Sequence, residues 1–517
     1  MQVAPSAAAW RGGLAIRRTS ERSPRRTVRR KCIMFHASSR ILLLGKAPAV
    51  PSPMAPVPPF RTATPPTPVA GPDSPRRRPE EQRSFAQNKR DPMNSQKSWV
   101  ATIGMRPNQI AVVLFCAFLN MLDGYDVLVM GFAMPYLPEG FASNAQKGYL
   151  VSAALAGMAV GAIGLARFAD VYGRRKVLLI GLAVNTIGLA TSALSTNFET
   201  LLLTRFVTGI AIGTISVVII VLGQESAPAN RRSIALGVVM IGYPLGTMLA
   251  GFAGAGLLTW VGGAWQGMFW IGAAFGAVSL VVTAVFLRES DEFLQRKATG
   301  EPTRHGATIA ETRLLGQTLR TRTILLAGGY SMLTAAYYFV GTWTPQLIKN
   351  ASGDAGSGAM AGIMIGLGAV IGGTLFGAVG LKFAGARIAA VTSLVAAVAI
   401  AVFAVTLRGP IALTMAAVLG AAVFAALTGY TATSTAVYPV LARAKGYGVM
   451  MGVGRAGAIL SPIVAGYASS VLTPRSMYLA VIVPLTIAAL VALVLMRVRP
   501  PSEPEPATQT SRAAVAD

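Results

Sequence analysis

Asp123 and Asp126 lie in the apolar run LFCAFLNMLDGYDVLVMGFAMPYL, residues 114–137, which holds no other charge. An acid at bilayer depth costs roughly 2.5–3.5 kcal/mol on insertion scales. Three residues apart, the two side chains share one helix face, a turn from each other. Submerged acids of this kind carry protons or line substrate pathways. The competing reading is a structural pair held by interhelical hydrogen bonds or a basic partner.

Other ionisable residues extend the pattern. Arg205 falls in the outer part of a second apolar run, and Arg455 falls a few turns into another. A guanidinium recognises carboxylate in a two-pronged geometry and is costly to bury alone. Either can hold a substrate carboxylate or counter an aspartate. Glu225 closes the run that contains Arg205, and an inner charge network of Glu225, Arg231 and Arg443 is expected. For Arg205, Arg455 and Glu225 a salt bridge inside the bundle is the alternative. Tyr125, Tyr243, Tyr337, Tyr338, Trp343 and Tyr430 lie in or near the same runs. Stacking with hydroxyl donors suits a planar acid. Ordinary packing or an interfacial belt is the competing role, and Trp343 is the residue assigned to the belt.

These residues need a membrane scaffold to position them. The 517-residue chain is 53% hydrophobic and 13% charged, with mean hydropathy +0.55. Soluble domains carry about 25% charged residues. A polytopic α-helical membrane protein is the class that fits. No G-x-S-x-G elbow, Walker loop or H-E-x-x-H motif occurs, so the chain reads as neither an enzyme nor an ATP-driven pump. Cys32 and Cys116, with His36 and His305, offer no metal-ligand spacing. No metal or cofactor is expected, and the driving force is an ion gradient.

The net charge of +26 is unevenly spread. Residues 1–106 hold 20 Lys/Arg against 5 Asp/Glu. Nothing soluble and basic follows them, so a nucleic-acid partner is excluded. This Arg-, Pro- and Ser-rich stretch is expected to be a disordered basic tail. It is a product of an upstream start with Met93 as the true beginning, a genuine cytoplasmic tail, or a transit peptide; the first is preferred.

Twelve spans follow: 109–135, 147–167, 177–196, 201–223, 234–259, 267–287, 323–347, 357–380, 388–407, 411–436, 446–471 and 476–497. Loops after even-numbered spans hold 17 Lys/Arg, and loops after odd-numbered spans hold Lys147, Lys349, Arg408 and Arg475. This asymmetry puts both termini in the cytoplasm. The expected divisions are a six-helix half at 107–287, a cytoplasmic loop at 288–322, a second half at 323–498 and a tail at 499–517.

The loop ARFADVYGRRKVL carries Asp170, Gly173, Arg174 and Arg175. It resembles the G-x-L-x-D-R-x-G-R-R motif of the major facilitator superfamily, with Ala166 for the usual Gly and Val171 for the usual Arg. Arg205 with Gly209 and Gly213, the glycines of GVVMIGYPLGTMLAG, and LRESDEFL match further elements in the superfamily's order. The D-G-x-D of the first span, YYFVGTWTPQLI and YPVLARAKGYGVMMGVGRAGAILSP resemble the aromatic acid:proton symporters. The resemblance covers roughly residues 107–498. It implies an all-α membrane protein with twelve transmembrane helices in two six-helix halves, the major facilitator fold. It also implies proton-coupled uptake of a benzoate- or hydroxybenzoate-like acid across the cytoplasmic membrane by a functional monomer. Asp123 and Asp126 are then the proton-coupling pair, and Asp170–Arg175 the gating loop. Rival readings are a symporter for a dicarboxylate, polyol or sugar, an efflux antiporter, and a non-transporting membrane sensor.

Overall fold

In the computed structural model, the structure describes residues 105–257, 265–299, 317–438 and 442–497. The expected N-terminal tail, most of the central connection, the C-terminal tail, Cys32, His36 and His305 lie outside them. Among the described residues, twelve helices are long and apolar enough to cross a membrane: α1 Pro107–Tyr136, α2 Asn144–Leu165, α3 Arg174–Ala193, α4 Phe198–Glu225, α5 Ala229–Gly256, α6 Gln266–Phe286, α7 Leu319–Ser352, α8 Ala355–Val379, α9 Gly385–Thr406, α10 Gly409–Val437, α11 Lys445–Ala468 and α12 Pro474–Arg497. At 1.5 Å per residue even the 20-residue α3 spans the roughly 30 Å hydrocarbon layer. All twelve sequence spans have their helix.

Glycines set the packing. A Cβ on Gly209 or Gly213 of α4 would overlap the carbonyl oxygens of Ala154 or Met158 on α2. Gly157 and Gly161 of α2 meet Phe206 and Ile210 of α4 in the same way. The second half repeats this contact: Gly368 and Gly372 of α8 lie on Ala417 and Ala421 of α10, and Gly420 returns the contact to Ile365. The α1–α5 pairing is likewise matched by α7–α11. Lipid supplies no hydrophobic drive between helices, so such close approach supplies the packing energy instead. Gly213→Leu is therefore expected to lower stability by about 3 kcal/mol or more. Gly448→Ala, which meets nothing within 4 Å, should stay within about 1 kcal/mol of the parent. Thermal unfolding in detergent reads both.

The halves touch near the end remote from the basic loops. Gly148 of α2 sits on Pro462 and Ile463 of α11, and Ser152 Oγ donates to the Ile459 carbonyl at 2.6 Å. Gly251 of α5 meets Ile363 of α8, Gly131 of α1 meets Thr342 of α7, and Lys349 Nζ donates to the Pro135 carbonyl. Toward the basic loops, Gly448 and Gly452, on the Arg455 side of α11, have open space beside them. The halves thus meet at one end, while at the other these two glycines of α11 have no neighbour within 4 Å.

The connection between the halves, expected as a cytoplasmic loop, is described only in part. It contains a helix, Asp291–Thr299, started by Ser290, whose Oγ accepts from the Phe293 amide at 3.4 Å. Phe293 turns inward while Leu294 stays half exposed. That pattern gives a short interfacial helix.

Candidate functional site

The two aspartates of α1 have different surroundings. Asp126 Oδ1 accepts from Arg205 Nη1 at 2.7 Å. Arg205 Nη2 donates to Thr208 Oγ1 at 2.8 Å, and the guanidinium lies 5.0 Å over the Phe269 ring. Arg205 is fully buried. Tyr125, between the two acids, donates its hydroxyl to the Met268 carbonyl at 2.6 Å. These contacts clamp α1, α4 and α6 inside one half. For Asp126 the competing reading, a structural acid held by a basic partner, is the arrangement found. Of the alternatives for Arg205, the aspartate counter-ion is the one found. Tyr125 is turned to α6 inside the first half.

Among the described residues, Asp123 has no direct ion pair. Its Oδ2 accepts from Ser216 Oγ at 2.5 Å, and its Oδ1 is buried without a partner. Arg455 of α11, in the opposite half, lies within Coulombic reach of Asp123 and is half-buried. Between them, Tyr243 of α5 and Tyr338 of α7 bring their hydroxyls to 3.4 Å across the junction of the halves. Tyr337 packs edge-on to Tyr338, centroids 5.3 Å apart at 84°. Tyr330 and Tyr447 extend the cluster toward Arg455. One acid, one guanidinium and a group of phenols thus converge where the halves meet.

Two other aromatic candidates are placed away from this cluster. Tyr430 donates its hydroxyl to the Ala488 carbonyl at 2.5 Å, locking α10 to α12, and is fully buried. Trp343 is also fully buried, so it is interior rather than part of a belt. Missing from the sequence reading were Ser216, Thr208, Tyr330 and Tyr447. Ser216 follows Arg205 by three turns on one face, and Tyr447 precedes Arg455 by two, so helical spacing carried both signals.

The residues of the expected gating loop form a network in the first half. Asp170 Oδ1 and Glu225 Oε1 both receive Arg174 Nη2, at 3.0 and 2.8 Å. Ser290 Oγ donates to Glu225 Oε2 at 2.7 Å. Glu289 accepts from the Arg174 and Arg175 amides at 2.8 and 3.3 Å, capping the start of α3. Gly173 has φ +104°, and a Cβ there would strike the Glu289 carboxylate, so glycine is required twice over. The expected grouping of Glu225 with Arg231 and Arg443 is replaced by Arg174. Arg443 Nε donates to the Tyr438 carbonyl of its own half at 3.2 Å, and Arg231 sits in the turn opening α5. The substitute was one helix away: Arg174 is buried beside the end of α4 because the loop folds under it.

Comparison with known proteins matches this architecture. A family model described as Major Facilitator Superfamily matches residues 113–439. The chain is 29% identical over 384 residues to the 4-hydroxybenzoate transporter PcaK of Pseudomonas aeruginosa, covering 69% of this chain and 85% of that protein. It is 26% identical over 396 residues to a gallate transporter of Pseudomonas putida, covering 72% and 88%. A crystal structure of a bacterial homolog of the human lysosomal transporter Spinster, inward-facing and occupied, superposes with TM-score 0.63 at 20% identity. It covers 76% of this chain and 98% of its own.

Proposed function

We propose, from the premise that this chain belongs to the Major Facilitator Superfamily, that it takes up a small aromatic carboxylate together with a proton. The observation that carries this reading is Asp123, whose Oδ1 is buried without a hydrogen-bond partner among the described residues, with Arg455 and the Tyr243–Tyr338 pair nearby. Relatives that transport 4-hydroxybenzoate and gallate support a ring carboxylate bearing hydroxyls.

The mechanism rests on one cation serving two anions. While Asp123 is ionised, it competes with an incoming carboxylate for Arg455. Proton binding at Asp123 removes that competitor, and the guanidinium then engages the substrate. By linkage, proton and substrate raise each other's affinity. The tyrosines stack on the ring and exchange hydrogen bonds with its hydroxyl. Asp126, held by Arg205, keeps α1 in place and carries no proton in this scheme. With the basic loops assigned to the cytoplasm, the free space beside Gly448 and Gly452 lies on the inward side, as in a releasing conformation. Rocking of the halves exposes the same site to the other side. No cofactor is invoked. A monomer suffices, since one chain supplies both sides of the site. The setting is the cytoplasmic membrane, with both termini inside.

Replacing Arg455 with Gln is expected to weaken 4-hydroxybenzoate binding about ten- to a hundredfold, the size of a lost charge-assisted pair. Calorimetry or scintillation proximity on purified protein measures it. An unchanged affinity removes Arg455 from the site.

A further inference from the structure

The basic face of the first half holds a cavity whose lining includes none of Asp123, Arg455, Tyr243 and Tyr338. Its volume is about 470 Å³, and it lies between the start of α3, the end of α6 and the Asp291–Thr299 helix. Arg175, Lys176 and Arg288 line it, with Val285, Phe293 and Leu294. Lys176 and Arg288 are exposed. Arg175 donates Nη2 to the Ala284 carbonyl at 2.7 Å and leaves a buried Nε without a partner. The one carboxylate in the wall, Glu289, is occupied by the amides of Arg174, Arg175 and Ser290. Three cations therefore face the cavity against one acid already engaged.

The cavity's position fixes the chemistry of its occupant. Val285 and Phe286 end the α6 span and are 69% and 76% exposed, the exposure of a lipid-facing surface. Leu294 continues that apolar surface onto the short helix. The wall is thus apolar on the bilayer side and cationic where α3 begins. A phosphodiester above acyl chains satisfies both parts, and a soluble anion satisfies only one.

We propose that this cavity is a binding site for an anionic phospholipid of the leaflet on the basic face, with the phosphate held by Arg175, Lys176 and Arg288. The lipid ties α3, α6 and the short helix together at the gating loop, so its occupancy couples leaflet composition to the gate.

The test uses the purified full chain, stripped of lipid and titrated with phosphatidylglycerol or phosphatidylcholine, and read by native mass spectrometry. One saturable phosphatidylglycerol adduct is expected. It should weaken about fivefold for each cation removed in Lys176→Gln and Arg288→Gln. It should be retained in the charge-conserving Lys176→Arg with Arg288→Lys, which separates loss of charge from loss of fold. Lys382→Gln, in another basic loop, should leave it unchanged. Equal binding of phosphatidylcholine overturns the proposal, as does displacement of the adduct by millimolar inorganic phosphate. An adduct indifferent to the two glutamines overturns it too.

Discussion

Asp123→Asn is expected to abolish accumulation against a gradient while leaving substrate binding in place. Asparagine keeps the size and the hydrogen bond from Ser216, which reaches Asp123 at 2.5 Å, but it cannot exchange a proton. It also never competes for Arg455, so the variant mimics the protonated carrier. Two readouts should therefore separate. Affinity for 4-hydroxybenzoate in the parent should climb as pH falls through the titration of Asp123, and in the variant it should be flat. Gradient-driven uptake should fall by about two orders of magnitude or more, the usual scale for losing a positioned proton-transfer group. A variant that still concentrates substrate at the parental rate removes Asp123 from the coupling step.

The second large effect lies one turn away. Removing either partner of the Asp126–Arg205 pair leaves an uncompensated charge in the bundle, which costs about 3–5 kcal/mol. Asp126→Asn and Arg205→Gln should each unfold at markedly lower temperature in detergent. The double variant, with no charge left to strand, should recover much of the loss. A double-mutant cycle on unfolding free energy measures the coupling. Additive losses would show the pair to be independent. A neutral Asp126→Asn of normal stability would return that residue to the proton pathway.

The contrast between the two acids marks what the sequence can carry. Run length and Lys/Arg placement made twelve spans legible, because bilayer thickness and unsatisfied backbone leave no other option. The chemistry of Asp123 and Asp126 was legible as type and face. Which of them is paired was not, since that depends on where α4 sits beside α1. The close fit of glycines 209 and 213 to α2 sets that position. The same holds for the tyrosines. Tyr243 and Tyr338 meet across the halves, whereas Tyr430 turns to α12. Composition gives all three the same score, and only helix rotation separates them. The loop before α3 shows the reverse case. The motif predicted a charged loop correctly, but Glu289, which caps α3 from the far end of the half, lay in the LRES segment with no local sign of its partner.

The central claim is that proton movement drives the ring acid. Purified protein in vesicles, loaded at one pH and diluted into a more acidic buffer, tests it with radiolabelled 4-hydroxybenzoate and with protein-free vesicles as the reference for passive leak. The account predicts transient accumulation above the external concentration, abolished by an uncoupler and absent in Asp123→Asn. Uptake that only equilibrates the acid, at a rate indifferent to the imposed pH difference, would contradict it.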